Sequence, residues 1–267
     1  MSELLEQVIE LAKEAGETIL DIYAADELEI ENKEDEGYVS PLTQADKASH
    51  EIIQSGLEKI SEHPVISEEG NHKPDGADIF WLVDPLDGTK EFINRNGEFT
   101  VNIGLIKDGR PVLGVIYQPA GNVMYAAEGD RAFKILPDGR VAPLKPPVYE
   151  GDKPKIVVSR NHKGEKLGGI LTKLGPHEEA DVGSSLKFCL LAEGTAQAYP
   201  RLVPTYLWDT AAADAVLSAT GGEIRDFSGR LLNYDPEKDI RNPFFIATAR
   251  GCGDLYKKIK DISEEIE

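Results

Sequence analysis

Apolar residues in the first sixty positions recur at helical spacing. Between positions 4 and 15 they lie three or four residues apart, which predicts an amphipathic helix that Ser2 caps and that runs to about Tyr23. The same spacing predicts a second helix from Thr43 to about Ile60. Between the two helices the chain is polar and charged, which predicts a loop or an extended excursion.

The pattern then changes from helices to strands. Ile79–Val83 is apolar without interruption, as in a strand buried on both faces. The apolar stretches that follow are separated by the turn sequences KDGR, PAGN and EGD, which indicates an antiparallel meander. The predicted strands cover Pro64–Ser67, Ile79–Val83, Thr100–Ile106, Pro111–Gln118, Val123–Ala127 and Arg131–Leu136.

A proline-rich connector, VAPLKPPVYEGDKP, precedes a region in which strands and helices alternate. Alternation of this kind predicts an α/β half. We therefore divide the chain into residues 1–145, an α+β half with an antiparallel sheet, and residues 146–267, an α/β half that completes the site. The predicted elements of the second half are strands at 155–159, 196–199 and 244–249, and helices at 164–174, 184–193, 209–220 and 253–267.

Composition and charge narrow the class of protein. The chain has 267 residues, of which 40% are hydrophobic and 29% charged, which is ordinary for a globular protein. A formal net charge of −19 argues against binding a nucleic acid polymer or anionic lipid. The apolar runs fall far short of the ~20 residues of a membrane span, and no secretory signal is visible. Cys189 and Cys252 form no CxxC motif, which predicts reduced thiols in a cytoplasmic protein, with peripheral membrane attachment left open.

Three acidic motifs lie beside apolar strands or small residues. Glu68 and Glu69 end the first short strand, and Asp84 follows the buried strand, which the next residue, a proline, is expected to stop. Asp87 begins an Asp-Gly turn before a threonine that can cap a helix, and Asp209 is expected at a helix N-cap. Each motif taken alone has an ordinary structural explanation as a turn, a cap or a solvated pair.

Taken together, the motifs contain five carboxylates, of which four, Glu68, Asp84, Asp87 and Asp209, form a set of candidate ligands with a turn carbonyl. These are hard oxygen ligands without Cys or His, which favours Mg²⁺ over zinc. Asp84 is placed to bridge two ions, and a two-metal site can clamp the attacking and leaving oxygens of a phosphoryl transfer. The sequence has no P-loop, dinucleotide-binding, EF-hand or GxSxG motif, so those classes are disfavoured. The GSS run at 183–185 predicts either a helix N-cap or hydroxyls and amides that face an anion.

The motifs EE at 68–69, DPLDGT at 84–89 and WD at 208–209 together resemble the inositol monophosphatase superfamily of Mg²⁺-dependent, lithium-sensitive phosphatases. KEF directly after DPLDGT, GSSLKFC at 183–189 and AYPR at 198–201 resemble its bacterial-type 3′(2′),5′-bisphosphate nucleotidase branch. Leu207 and Asp214 depart from that branch, which often has an acidic residue and a histidine there. The resemblance implies a layered αβαβα sugar-phosphatase fold, with an α+β N-terminal half and an α/β C-terminal half.

The resemblance also implies roles for individual residues. Two Mg²⁺ sites would share Asp84, and a third, looser ion would sit on Glu68 through waters. The ligands would be Glu68, Asp84 and the Leu86 carbonyl for one ion, and Asp84, Asp87 and Asp209 for the other. Thr89 paired to Asp46, with Glu69 nearby, would orient the attacking water.

Substrate contacts are implied at the metal site and at a few basic and hydroxyl residues. They would involve Glu68, Leu86, Asp87, Gly88, Thr89, Ser184, Ser185, Lys187, Arg201 and Asp209. Without the resemblance, Lys187 reads as a solvated lysine and Arg201 as a packed arginine. The segment 159–162 is a weaker candidate for the wall of a nucleotide pocket.

The activity implied is removal of the 3′-phosphate from adenosine 3′,5′-bisphosphate to give AMP, with 3′-phosphoadenylyl sulfate of sulfur assimilation as a second candidate substrate. An alternative of the same fold is an inositol monophosphatase or a broad sugar phosphatase acting on fructose 1,6-bisphosphate. A non-catalytic metal- or nucleotide-binding protein is the alternative from another class. The expected partner is a small phosphorylated molecule, and the sequence leaves the oligomeric state open.

Overall fold

The computed structural model of the chain describes residues 1–25, 28, 30–35, 38–70, 76–159 and 164–266. The helices in these ranges are α1 (Glu3–Tyr23), α2 (Gln44–Ile60), α3 (Thr89–Ile93), α4 (Glu165–Leu174), α5 (Leu186–Ala192), α6 (Leu207–Ala219) and α7 (Gly253–Ile266). The strands are β1 (Ile30–Asp35), β2 (Tyr38–Thr43), β3 (Val65–Ser67), β4 (Ile79–Asp87), β5 (Thr100–Lys107), β6 (Arg110–Gln118), β7 (Val123–Glu128), β8 (Arg131–Ile135), β9 (Val141–Pro143), β10 (Lys155–Val158), β11 (Glu178–Asp181), β12 (Ala198–Arg201), β13 (Glu223–Asp226) and β14 (Phe245–Thr248).

A seven-stranded sheet forms the first half and follows the chain in the order β3 to β9. β3 is parallel to β4, and every later pair is antiparallel, so the predicted meander is confirmed. Alternation along β4 separates two cores, because successive side chains of a strand point to opposite faces. Trp81 and Val83 pack against α1 and α2, whereas Phe80 and Leu82 pack on the side of α5 and α6.

A five-stranded sheet forms the second half, in the order β11-β10-β12-β14-β13. β10 is parallel to β11 and β12, and β14 is antiparallel to β12 and β13. Ile156, Val158 and Ile246 pack with α4 and α7 on one face, while Val157 and Phe245 join the core shared with α5 and α6. The layers are therefore helix, sheet, helix, sheet, helix, and the predicted αβαβα architecture is confirmed.

Two glycines let α6 approach the seven-stranded sheet closely. A Cβ at Gly114 would lie 2.4 Å from the carbonyl oxygen of Ala212, and one at Gly104 would lie 3.0 Å from the Cβ of Ala211. Any larger residue at Gly114 would push the helix away from the sheet. The small-residue sequence of α6 therefore positions the start of this helix, which carries Asp209, against β4 and β5.

Several predicted elements need correction. The charged stretch between α1 and α2 contains the antiparallel β1–β2 hairpin. β4 does not stop at Pro85 but continues to Asp87 through an irregularity in its register, where proline is tolerated in a sheet. The strands β9, β11 and β13 were not predicted. β9 has only three residues and lies in the proline-rich connector, whereas β11 and β13 are short and mostly polar.

Three further expectations concern the chain as a whole. The strands of the first sheet end at Pro143 and those of the second begin at Lys155, while the division at residue 145 stays a prediction. In the candidate pocket wall, Ser159 is buried and 160–162 lie outside the described residues. None of the described helices is long and apolar enough to cross a membrane.

An ion pair with a fully buried carboxylate ties α6 to β6 and supports a stability prediction. Arg110 Nη2 lies 3.2 Å from Oδ2 of Asp214, whose side chain is fully buried, and Ser218 Oγ donates to Asp214 Oδ1 at 2.8 Å. Arg110→Ala should lower the free energy of unfolding by about 1–3 kcal/mol, because it leaves a buried carboxylate without its counter-charge. Urea denaturation measures the change.

The matched control for this prediction is an ion pair on the surface. Arg140 Nε lies 2.6 Å from Asp138 Oδ2, and both side chains are exposed. Arg140→Ala should change stability by less than about 1 kcal/mol. Equal effects of the two substitutions would contradict the role given to the buried pair.

Candidate active site

Four carboxylates that are distant in sequence share one neighbourhood. Glu68 follows β3, and its N–H donates to the Val83 carbonyl of β4 at 3.0 Å. Asp84 and Asp87 lie on β4, and Asp209 lies in the first turn of α6. The pKa of Asp84, which is 1% exposed, is raised well above its ordinary value, first by burial and then by the charges of Glu68, Asp87 and Asp209. The structure thus brings together the four acids that the sequence singled out.

Asp209 is held differently from the expectation. Asp209 is the third residue of α6, and the N-cap is Tyr206. Oδ2 of Asp209 accepts a hydrogen bond from the Tyr206 N–H at 2.8 Å. Its pKa is raised by burial and by the charges of Asp87 and Glu68, while the Tyr206 hydrogen bond and the charge of Arg201 act in the opposite direction. The predicted N-cap position was wrong, but this bond still fixes the carboxylate at the start of α6.

Asp46 and Thr89 form the predicted hydroxyl–carboxylate pair. Thr89 Oγ1 donates to Asp46 Oδ1 at 3.2 Å and lies 3.5 Å from the carbonyl oxygen of Leu86. The other carboxylate oxygen, Oδ2, accepts from the N–H and Oγ1 of Thr43 at 2.8 and 2.6 Å. Asp46 is 3% exposed, and its pKa is raised mainly by burial, with a smaller contribution from the charge of Glu69. The three residues predicted to orient water are therefore neighbours.

Gly88, rather than Thr89, is the N-cap of α3, and its backbone needs glycine. Its φ of 90° is left-handed, and a Cβ there would lie 3.1 Å from the Glu98 carbonyl and 3.3 Å from the Cβ of Ser184. The segment at 183–185 consequently packs directly on the turn that carries Asp87. Ser184 Oγ donates to Asp87 Oδ2 at 2.9 Å, so this predicted substrate hydroxyl contacts a protein carboxylate in the structure.

Lys187 is buried, and the interpretation as a solvated lysine was wrong. Its Nζ donates to the Ser184 carbonyl at 2.7 Å and lies 5.7 Å from the centre of the Tyr199 ring. Its charge also opposes the rise in the pKa of Glu91, which is caused first by burial and then by Asp87. Lys187 therefore lies beside the acid cluster, where a cation is electrostatically favoured.

Arg201 has one donor committed and one open. Its Nη2 donates to the Pro204 carbonyl at 3.4 Å, whereas its Nε is buried and lacks a hydrogen-bond partner in the part of the chain that the structure describes. A buried donor without a partner is unfavourable unless something else binds it. Because its charge also lowers the pKa of Asp209, Arg201 lies at the edge of the acid cluster.

Sequence reasoning missed the groups behind these residues. Thr100 and Asn102 alternate along the start of β5, Glu98 precedes this strand by two residues, and all three contact residues 183–185. The signal that could have found them is this alternation, since every second residue of a strand faces the same side. An acid, a hydroxyl and an amide on one face of an otherwise apolar strand indicate a polar partner.

The donor chemistry of the cluster fits magnesium. Its members are carboxylates with the Leu86 carbonyl beside them, and Mg²⁺ prefers such oxygen ligands. Among the described residues, no three Asp, Glu, His or Cys side chains already enclose a common point as a finished metal cage. The acids instead converge from β3, β4 and α6. The charges of Glu68 and Asp87 raise the pKa of both Asp84 and Asp209, after the larger effect of burial, and a bound cation would offset that repulsion.

Comparisons with known proteins show which family the chain resembles. The model of the inositol monophosphatase family matches residues 1–265. The chain belongs to this family. A family member from Escherichia coli O157:H7, the 3′(2′),5′-bisphosphate nucleotidase CysQ, is 45% identical over 254 residues that cover 91% of this chain and 98% of the relative.

Solved structures of the family show the same architecture. CysQ from Bacteroides thetaiotaomicron, a bacterial member of the inositol monophosphatase family, superimposes with a TM-score of 0.80 at 38% identity, and the match covers 92% of this chain and 97% of that CysQ chain. The Thermotoga maritima IMPase superimposes with a TM-score of 0.79 at 22% identity over 100% of both chains, which shows the shared fold alone.

The raised pKa values predict an unusual pH dependence without metal. A carboxyl whose pKa is raised by folding stabilises the fold while it is protonated, so its contribution is present below about pH 4 and is lost as pH rises through the raised pKa. In chelator, the melting temperature should therefore fall as the pH rises above about 4, and added Mg²⁺ should oppose the fall. Differential scanning calorimetry measures both curves.

Asp84→Asn is the test variant for this dependence. Removing the most crowded charge should raise stability in chelator near pH 8 by roughly 1–3 kcal/mol and flatten the slope. Asp138→Asn, at an exposed position, should leave the slope unchanged. Identical slopes in wild type and Asp84→Asn would contradict the account of the crowded acids.

Proposed function

We propose that the protein is a Mg²⁺-dependent phosphatase that removes the 3′-phosphate of adenosine 3′,5′-bisphosphate and releases AMP. The observation that carries the proposal is the convergence of Glu68, Asp84, Asp87 and Asp209 beside the Thr89–Asp46 pair. The names of the bisphosphate nucleotidase relatives support the choice of substrate. The 3′-phosphate of 3′-phosphoadenylyl sulfate presents the same chemistry and is the second substrate to test.

The proposed metal ligands are those that the resemblance implied. Glu68, Asp84 and the Leu86 carbonyl would hold one ion, and Asp84, Asp87 and Asp209 would hold a second, with a looser third ion near Glu68. Bound Mg²⁺ supplies charge to stabilise the phosphoryl oxygens and lowers the pKa of a coordinated water. Because Asp84 contributes to both sites, its loss should affect activity more than the loss of any other ligand.

The chain's own residues provide a route for the proton of the attacking water. Thr89 donates its hydroxyl hydrogen to Asp46, so its oxygen remains free to accept a hydrogen bond from water. As that water attacks phosphorus, its proton passes toward Thr89 and Asp46. The bond from phosphorus to the ribose 3′-oxygen breaks, and this oxygen leaves with the bonding electron pair and takes up a proton from solvent. Burial has already raised the pKa of Asp46, which makes this carboxylate a better proton acceptor. The nearby charge of Glu69 favours the same transfer.

The second phosphate requires cations of its own, since the metal offsets the acids. Arg201 is the proposed contact, because its buried Nε lacks a partner among the described residues. Lys187 already donates to the Ser184 carbonyl, so we assign it first to holding that segment, with its remaining N–H groups available to an anion. Contacts of substrate with Gly88, Thr89, Ser184 and Ser185 stay predictions.

A substrate panel tests the activity directly. Phosphate release should require Mg²⁺, stop in excess chelator, and be faster with adenosine 3′,5′-bisphosphate than with inositol 1-phosphate or fructose 1,6-bisphosphate. Asp84→Asn should reduce kcat/KM by more than about 100-fold, a larger loss than Asp209→Asn causes. Lithium inhibition is a further expectation from the family.

Two outcomes of the panel would overturn the proposal. Undiminished release in chelator would exclude the metal mechanism, and no release from any of these substrates would favour the non-catalytic binding protein. A clear preference for inositol 1-phosphate or fructose 1,6-bisphosphate would replace the nucleotidase by the sugar phosphatase of the same fold. Asp138→Asn serves as the exposed control and should behave as wild type.

Arg201→Ala separates substrate choice from chemistry. Loss of a charge-assisted contact worth roughly 1.5–3 kcal/mol should lower kcat/KM for the bisphosphate by about 10- to 150-fold. Inositol 1-phosphate has no second phosphate, so its turnover should change little. Lys187→Ala should lower both activities and the melting temperature together, because it releases the Ser184 carbonyl. An unchanged ratio of the two substrates in Arg201→Ala would refute the assignment of Arg201.

A further inference from the structure

A buried polar chain connects the start of β5 to Asp87. Thr100 is fully buried, and Asn102 and Ser185 are each 1% exposed. Thr100 Oγ1 lies 2.5 Å from Ser184 Oγ and 2.7 Å from Ser185 Oγ, and Ser185 Oγ lies 2.7 Å from Oδ1 of Asn102. Polar groups at such depth are retained when each finds a partner. This chain of hydrogen-bonded side chains joins the sheet of the first half to the turn before α5.

Counting hydrogens fixes the direction of each bond. Each hydroxyl group has a single hydrogen to donate. Ser184 gives its hydrogen to Asp87 Oδ2, where the carboxylate oxygen is the acceptor. Thr100 must then donate to Ser184, and Ser185 must donate to Thr100. Each hydroxyl in this order accepts one hydrogen bond and gives one.

Asn102 completes the chain once its amide is turned by 180°. Its Nδ2 is buried without a partner among the described residues, while Oδ1 faces two hydroxyl groups, Ser185 at 2.7 Å and Thr100 at 3.2 Å. The two amide atoms are nearly isosteric, and the hydrogen-bond network decides their assignment. With Nδ2 toward Ser185, the amide supplies the donor that the hydroxyl groups lack.

The backbone of Ser184 carries a second, independent sign of constraint. Its φ is 53°, in the left-handed region that residues other than glycine rarely occupy, and Lys187 Nζ holds its carbonyl. Glu98 Oε2 accepts the N–H of the preceding Gly183 at 2.9 Å. Strained conformations persist where the surrounding contacts over-determine them, and they cluster at functional sites.

We propose that Asn102, Ser185 and Thr100 are positioning residues that act, through Ser184, on the carboxylate of Asp87. The hydrogen bonds run in one direction, from the amide through three hydroxyl groups to Oδ2. They limit rotation of the carboxylate, and outer-shell hydrogen bonds of this kind orient a metal ligand. The inference rests on the proposed function, in which Asp87 is a ligand of Mg²⁺.

Thr100→Val tests the chain because it removes one hydroxyl group with little change in shape. The measurement is the Mg²⁺ concentration that gives half of the metal-dependent rise in melting temperature, in the absence of substrate. Thr100→Val should raise this concentration by about tenfold, the lower end of the range for outer-shell partners. Thr100→Ser keeps the hydroxyl group and should restore a value near that of wild type.

Thr220→Val is the matched control. Thr220 is also buried, and its Oγ1 donates to the Leu217 carbonyl at 2.7 Å. It lies eleven residues beyond Asp209, about 16 Å along the axis of α6. Thr220→Val should lower the melting temperature in chelator as a lost buried hydrogen bond does, without changing the Mg²⁺ midpoint.

The outcomes separate this inference from the proposed function. If Thr100→Val loses stability but binds Mg²⁺ as wild type does, Thr100 is structural only and the inference is overturned. If wild type itself shows no Mg²⁺-dependent rise in melting temperature, both the proposed metal site and this inference are wrong. Asp87→Asn should abolish most of the rise and serves as the reference for a lost metal ligand. Should Thr100→Val not fold, Ser185→Ala removes the preceding link and must weaken Mg²⁺ binding in the same assay.

Discussion

The burial of Asp84 among other carboxylates is the constraint on which the structure depends. A buried carboxylate is unfavourable by itself, and here Glu68, Asp87 and Asp209 add repulsion. A fold that keeps these acids together must hold each one by contacts that outweigh the repulsion. The five-layer architecture brings the C-terminal ends of β3 and β4 and the start of α6 to one place.

The contacts that hold the acids come from both halves of the chain. Close packing of α6 at Gly104 and Gly114 positions the helix that carries Asp209, and the Ser184 hydroxyl donates to Asp87. The Thr43 capping box holds Asp46, which faces Thr89. These polar contacts orient the carboxylates of the site, while three apolar cores among the described residues pack the layers together.

Much of this arrangement could be predicted from the sequence. Apolar periodicity gave the long helices and the meander, and the acidic motifs gave the four carboxylates, because runs of apolar residues and Asp-Gly turns are local signals. β11 (EEAD) was missed since its polar composition is that of a loop, and only pairing with β10 makes it a strand. The amino-acid composition of such a segment does not predict that it pairs with a strand from another part of the chain.

Side-chain surroundings were the least predictable part of the site. The sequence around Lys187 is compatible with a solvated helix face. Its burial follows from contacts with the ring of Tyr199, twelve residues away, and with the carbonyl of Ser184, whose backbone is left-handed. Asp209 was displaced from the N-cap because the capping interaction involves the backbone of Tyr206. The roles of Thr100 and Asn102 could not be predicted from an otherwise apolar strand, because their hydrogen-bond partners lie more than eighty residues away in sequence.

The central claim is that the crowded acids form a site for divalent cations that share Asp84. Binding of Mn²⁺, which accepts the same oxygen ligands as Mg²⁺, can be counted by equilibrium dialysis with detection by electron paramagnetic resonance. The account predicts at least two ions per chain in wild type, with a spin–spin signature of neighbouring ions, and loss of that signature in Asp84→Asn. Wild type that binds no Mn²⁺, or Asp84→Asn that binds the same number with the same signature, would contradict it.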